Sequence, residues 1–272
     1  AVLAESSSSP TRLRLKKAFL QAFPQATWAE YDAIDSSNAA AAAAKVTGND
    51  ALQPKYDLSG ATRVLAVDAD FLDEEPGSVQ FSKQFAAGRR VRSSKDDISR
   101  LYSVEANFSL TGAMADHRKR LASSQMVPFL AALALELDLG VEGNALQSVL
   151  VPLAGKLDQS TQEWAAKCAE DLAQSRGRSV VFVGYHLPEE AHALGLLVNE
   201  KLGNLRKTVS LVAVDNAKTA SLQELSSSIE SGAINSLVIL GGNVVYNAPA
   251  GIDFGGLLEN VEEVIRLGYY AD

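Results

Sequence analysis

One cysteine, Cys168, is all this sequence has, which excludes an internal disulfide and any multi-cysteine cage for zinc or an iron–sulfur cluster. Cys168 lies in QEWAAKCAEDLAQ, a run of helical character, where a free cysteine behaves as a small apolar side chain. Basic residues are also in deficit: 25 Lys and Arg stand against 33 Asp and Glu, a formal net charge of −8. With no basic field to attract a phosphate backbone and no basic motif interleaved with aromatics, nucleic acid is not an expected partner. No apolar run reaches the roughly 18 residues of a membrane-spanning helix. The longest, MVPFLAALALELDLG, is interrupted by Glu136 and Asp138 and is expected to be a core helix. The first residues, AVLAESSSSP, have neither a starting Met nor the charged-then-apolar layout of a signal sequence. The last, LGYYAD, follow directly on a strand-like run. Both ends read as those of a piece cut from a longer polypeptide.

What is present is an ordinary globular composition, 47% hydrophobic and 21% charged. Its 272 residues suit one large α/β domain or two intimately joined ones. Thr11 to Phe23 sets Leu13, Leu15, Phe19, Leu20 and Phe23 on a helical pattern that stops at Pro24. ATWAEYDAI then reads as a short strand carrying Trp28, Tyr31 and Ile34. NAAAAAAKVTG favours helix outright, because Ala loses almost no side-chain entropy, and Gly48 closes it as a C-cap would. Four apolar runs share one design: Val64 to Val67 leads into Asp68 and Asp70, RLYSVE ends in Glu105, SVVFVG in Gly184, and SLVILGG in Gly241 and Gly242. TVSLVAVDN and EEVIRLGYYAD add two more strand-like runs. PEEAHALGLLVNEKLGN is a helix with a stripe of Ala191, Leu194, Leu197, Val198 and Leu202. Near-continuous hydrophobic strands separated by helices imply an α/β fold of doubly wound, mostly parallel sheets with helices on both faces. The expected division is one α/β half over residues 1–150 and another over 151–272, with interleaving left open.

In such sheets ligands bind beyond the carboxyl ends of the strands. That rule selects Asp68, Asp70, Glu105, Gly184, Tyr185, His186, Gly241, Gly242 and Asn243. Two glycines at a strand end let a phosphate approach the backbone, although the segment is neither a dinucleotide fingerprint nor a P-loop and reads first as an ordinary strand-to-loop turn. His186 offers a base or a donor, but no partner for it can be assigned from the sequence. DADFLDEEPG lacks the ligand spacing of a calcium loop, so Asp68 and Asp70 are read as turn formers and Asp73 to Glu75 as a solvated run. Asp116, His117 and Arg118 are adjacent, and if extended they place Asp116 and Arg118 on one face and His117 on the other. An ion pair pinning a loop against the sheet is the expected reading, ahead of a catalytic role.

DADFL, the PG after it, RLYSVEANFSLTGAMADHR and GNVVYNAPAGIDF occur in an order that resembles the molybdopterin-oxidoreductase-like portion of the large iron–sulfur subunit of alternative complex III, a quinol-oxidising respiratory assembly. The family's pattern looks like D-A-D-F-L, R-L-Y-x-V-E-S, T-G-x-x-A-D-H-R and G-G-N-P-x-Y-x-A-P, and the resemblance runs over nearly the whole chain. At greater distance the layout is similar to the dimethyl-sulfoxide-reductase superfamily, whose doubly wound domains hold the guanine dinucleotide arms of the molybdenum cofactor. That resemblance implies that Glu105 stands where an acid binds a ribose, that Asp116 follows in the same segment, and that Gly241, Gly242 and Asn243 lie near the path of the pterin dinucleotide. Val244 departs from the family's Pro, and the cysteine-rich iron–sulfur motifs and a molybdenum-ligating residue are absent from this chain. The resemblance implies a cofactor-free relic with no catalytic residue and no metal ligand. It would touch other subunits of a membrane respiratory complex at the periplasmic face, without a span of its own. The rival expectation is a working domain that binds the guanine dinucleotide through Glu105, Asp116, Gly241, Gly242 and Asn243.

Overall fold

The computed structural model describes residues 1–94, 96–139, 145–213 and 219–270. Their strands, in chain order, are β1 (Val2–Ala4), β2 (Trp28–Glu30), β3 (Leu52–Tyr56), β4 (Arg63–Val67), β5 (Arg100–Glu105), β6 (His117–Arg120), β7 (Ser179–Val183), β8 (Val209–Ala213), β9 (Ser236–Leu240) and β10 (Glu263–Leu267). The chain divides into two units, one made of residues 1–35 and 215–272, the other of residues 36–214. The boundary is therefore not at residue 150. It cannot be, because β4 and β7 lie on either side of that position and pair residue for residue, from Arg63 with Ser179 to Val67 with Val183.

In the discontinuous unit four parallel strands run in the order β10-β9-β1-β2. Side chains alternate across the strands. Leu3, Leu237 and Ile239 pack on one face with Leu225 and Ile229 of the Leu222–Glu230 helix and Phe254 of the Phe254–Leu258 helix. Val2, Ala4 and Trp28 meet Phe19 and Leu20 of the Pro10–Ala22 helix on the other. That helix begins as its sequence implies, with Pro10 in the first turn and the Ser9 side chain accepting from Arg12 N–H. The strand expected in ATWAEYDAI is only three residues long, and Ile34 is 67% exposed. Trp28, Tyr31 and Ile34 are spaced by three, which a two-residue strand period cannot bring to one face.

In the continuous unit the parallel order is β6-β5-β4-β7. Leu65, Val67, Tyr102, Val104, Val181 and Val183 face a core with the Met126–Glu136, Gln159–Gln174 and Glu189–Lys201 helices. Val64, Ala66, Leu101, Val180 and Phe182 face Phe71 and the aromatics Phe81 and Phe85 of the Ser78–Gly88 helix. Burial on both faces is why β4, β5 and β7 read as unbroken apolar runs. Cys168 is fully buried in the Gln159–Gln174 helix, as expected of a small apolar side chain. Gly48 closes the Ser37–Thr47 helix at φ 71°. The strand in TVSLVAVDN is antiparallel, pairing as β8 with β3 in a separate two-stranded sheet; residues 214–216 of that run lie outside the described residues. β3, LQPKY, was not legible as a strand, since Pro54 removes a donor and its apolar residues are few. A two-stranded ribbon tolerates that, because each of its strands is an edge.

Strand order sets where ligands are to be sought. In the continuous unit β4, β5 and β6 step one way and β7 returns to the other side of β4. In the discontinuous unit β2 lies on one side of β1 and β9 on the other. The topological switch points, where helices leave in opposite directions and a crevice opens, fall between β4 and β7 and between β1 and β9.

Candidate functional site

At the switch point of the continuous unit the chain leaves β4 through Asp68 at φ 47°, a left-handed conformation that Asp tolerates better than most residues. Gly184, at the end of β7, donates to Val67 O at 3.0 Å, and a Cβ there would sit 2.0 Å from Asp68 O, so glycine is required. The Asp68 carboxylate accepts from Ala106 N–H at 2.9 Å and from Ser123 Oγ at 3.5 Å, and lies 3.3 Å from His186 Nε2. One side chain at the end of β4 thus ties down the loops after β5, β6 and β7. Burial works to raise the Asp68 pKa, but the hydrogen bonds from His186, Ala106 and Ser123 and the nearby imidazole charge leave it lowered. His186 is raised, first by its hydrogen bond to Asp68.

Glu75 departs from the expectation of a solvated run. It is 5% exposed, accepts Tyr185 N–H at 3.0 Å, and is pushed up to about 7 by burial. Hydrophobic pattern gave no sign of this, because the acid is carried inward by the turn before Pro76 and Gly77. The turn at Asp70 is closed by its backbone carbonyl, which accepts Asp73 and Glu75 N–H at 3.1 Å each, while its carboxylate reaches the Leu110–Ala113 helix, accepting Thr111 N–H at 2.9 Å and Thr111 Oγ1 at 2.6 Å.

Glu105 is 3% exposed, and its carboxylate accepts from Arg118 Nε and from Ser109 Oγ, each at 2.5 Å. Ser109 also caps the short Leu110–Ala113 helix. Asp116 accepts from Arg89 Nη1 and Nη2 at 2.6 and 2.9 Å and from Leu101 N–H at 2.8 Å, and Arg89 holds its pKa lowered. His117 lies on the opposite face, stacked on Tyr102 with ring centroids 4.7 Å apart. The split between Asp116 and Arg118 on one face and His117 on the other is as the extended geometry requires. Their ionic partners, Arg89 and Glu105, were not identifiable from sequence, being 27 and 13 residues away on other elements.

In the discontinuous unit Gly241 and Gly242 leave β9 at φ 77° and 63°. They line a cavity of about 190 Å³ at the β1/β9 switch point, with Glu5, Tyr31, Asp32 and Asn247. Asp32 accepts Ser6 N–H at 3.0 Å, and Tyr31 Oη donates to Asn247 O at 2.6 Å. A Cβ on Gly241 would meet Glu5 Oε2 at 2.7 Å, so the carboxylate lies against the glycine backbone. Asn243 caps the following turn, accepting Tyr246 N–H at 3.2 Å, and Val244 is buried beneath it. Arg266 Nη2 donates to Gly242 O at 3.1 Å. The five expected dinucleotide contacts are thus shared out, Glu105 and Asp116 in one unit, Gly241, Gly242 and Asn243 in the other. Glu5, Tyr31 and Asp32 were not anticipated; their only sequence signal is position just after β1 and β2.

Among the described residues no group of three or more His, Cys, Asp or Glu is arranged to hold a metal ion, and no helix is long and apolar enough to cross a membrane. No protein-family model matches the chain, and no curated protein matches it. Among solved structures the fold is similar to that of acetylene hydratase from Pelobacter acetylenicus, with a TM-score of 0.66 and 12% identity over 97% of this chain and 46% of that one. It is also similar to the formyltransferase/hydrolase complex from Methylorubrum extorquens, in complex with methylofuran, with a TM-score of 0.55 and 14% identity over 99% and 79% of the two chains. This chain spans about half the length of the acetylene hydratase chain. At such identities the likeness is one of fold, an α/β arrangement of mostly parallel sheets flanked by helices.

Proposed function

We propose that this chain is a molybdopterin-oxidoreductase-like domain of the iron–sulfur subunit of a quinol-oxidising respiratory membrane complex. It carries no cofactor of its own and serves as a scaffold against other subunits on the extracytoplasmic side. The observation that carries the scaffold reading is the state of Glu105. The acid expected to meet a ribose is buried, with its carboxylate held by Arg118 and Ser109. Asp116 is likewise held by Arg89. At Gly241 a carboxylate, Glu5, lies against the backbone that a phosphate would have to approach, and like charges at that distance repel. These residues do not fit a pterin dinucleotide; they fit struts that fix loops against a sheet. The α/β fold and the fact that the chain spans less than half of a longer fold relative agree with a module of a larger polypeptide. Quinol oxidation and electron transfer then belong to other parts of the assembly.

The second reading, a working guanine-dinucleotide site, is favoured by one observation: Gly241 and Gly242, both left-handed, open onto a cavity at a topological switch point. The two separate in one measurement. The subunit that contains this chain is purified from a host that makes the molybdenum cofactor and analysed for molybdenum by mass spectrometry and for pterin by fluorescence after oxidation. The scaffold reading expects neither in stoichiometric amount. One molybdenum or one dinucleotide per chain overturns it.

A further inference from the structure

We infer that the half-covered face of the β10-β9-β1-β2 sheet docks one amphipathic α-helix of a partner subunit, apolar toward the sheet and acidic on the flank beside the Pro10–Ala22 helix. The inference rests on the scaffold reading and names the surface by which the scaffold holds a neighbour. A parallel sheet needs cover on both faces. One face has it, since Leu3, Leu237 and Ile239 are buried under the Leu222–Glu230 and Phe254–Leu258 helices. On the other, among the described residues, the helix packed on the strands is Pro10–Ala22. Strand pairing sets Trp28, Val2, Val238 and Ile265 in one row across that face, and Ala4, Leu240 and Leu267 in the next. Burial runs out along both rows: Trp28, Val2 and Ala4 are buried, Val238 and Leu240 half-buried, Ile265 and Leu267 exposed. The cover therefore ends over β9.

The dimensions select a helix as the occupant. Neighbouring strands lie about 4.8 Å apart and a helix with its side chains is about 10 Å across, so one helix covers two strands. With β1 and β2 under Pro10–Ala22, the width left over β9 and β10 is that of one more. Each of those strands has five residues, a run of about 17 Å, which matches about eleven helical residues or three turns. Leu15 and Phe19, four residues apart, share one side of the Pro10–Ala22 helix and form the wall of the gap. Lys16, about 100° round the helix from Leu15, reaches Glu30 of β2, which leaves Leu15 and Phe19 on the side nearer β9, with Leu15 53% exposed. The same helix carries Arg12, Arg14, Lys16 and Lys17 and no Asp or Glu. An occupant beside it lies in a positive field, hence the acidic flank. A second copy fits poorly: seated face to face, it would press the exposed Arg14 and Lys17 onto Ile265 and Leu267, and cations are costly to bury on an apolar floor.

The test is photocrosslinking in cells that make the whole subunit containing this chain. p-Benzoylphenylalanine is placed at Leu15, Ile265 or Leu267, and as a control at Val79, which is exposed in the other unit. Crosslinked peptides are then read by mass spectrometry. All three positions in the gap are expected to give one segment of another subunit, with apolar residues at i, i+3, i+4 and i+7 and Asp or Glu on its flank. Val79 is expected not to give it. Leu267→Glu, in the chain labelled at Ile265, is expected to cut the yield of that product by about tenfold, because it sets a carboxylate under an apolar face. Arg14→Glu, which leaves the floor intact, is expected to cut it by about fivefold through the lost charge match. A product with a second copy of this chain, with lipid or with the subunit's own polypeptide overturns the inference. So does a segment without that period, the same product from Val79, no product from the gap, or a yield that both substitutions leave unchanged. The scaffold reading fails separately, on bound molybdenum or pterin, so the two failures are told apart.

Discussion

Glu105 lies so close to Gly112 that a Cβ on residue 112 would fall 1.8 Å from Glu105 Oε1. The glycine of the T-G-x-x-A-D-H-R element is thus explained by space for a buried carboxylate, without any appeal to a ligand. Arg118 in the same element is explained by the charge it pairs with, and Asp116 by Arg89. Burial of Glu75 makes stability depend on pH. Its folded pKa, about 7, stands above the ordinary 4.5, so between those values the unfolded chain gives up a proton that the folded chain keeps. Stability from this group is therefore lost as pH rises from 4.5 to 7, and by pH 8 the penalty is about 3 kcal/mol at most. Glu75→Gln is expected to raise the unfolding free energy by about 1–3 kcal/mol at pH 8, and by much less near pH 4.5, in urea titrations at the two pH values.

At the scale of elements, β4, β5 and β7 were legible because strands buried on both faces need apolar side chains at every position. β6, HRKR, was not, because an edge strand with exposed faces carries no such demand. Its place is decided by pairing with β5, where Tyr102 meets His117 and Ser103 meets Arg118. β10 presents the opposite case, an edge strand whose apolar residues are exposed on both faces, Val264 at 40% on one and Ile265 at 53% and Leu267 at 69% on the other. Such an edge is prone to association. Ile265→Lys is expected to change the unfolding free energy by less than about 0.5 kcal/mol, since little is buried there. It is also expected to lower concentration-dependent light scattering of the isolated chain. Unchanged scattering would remove β10 as the cause.

For the whole molecule, the insertion of one unit within the other makes a sharp expectation about autonomy. Residues 36–214 contain all of the β6-β5-β4-β7 sheet and both of its cores, so that segment alone is expected to fold, with dispersed NMR amide signals and a cooperative thermal transition. Residues 1–35 alone are expected to be unfolded, because β1 needs β9 from the far end of the chain. The sequence by itself determined the α/β class, the apolar strands that end in Asp68, Glu105, Gly184 and Gly241, and the helices between them. These are local consequences of side-chain period and propensity. Only the tertiary structure decided the order of strands, hence the two switch points, the interleaving of the units, and the partners of Glu105, Asp116 and Glu75. Pairings between residues far apart in the chain depend on which strand lies beside which, and that order leaves no trace in local pattern.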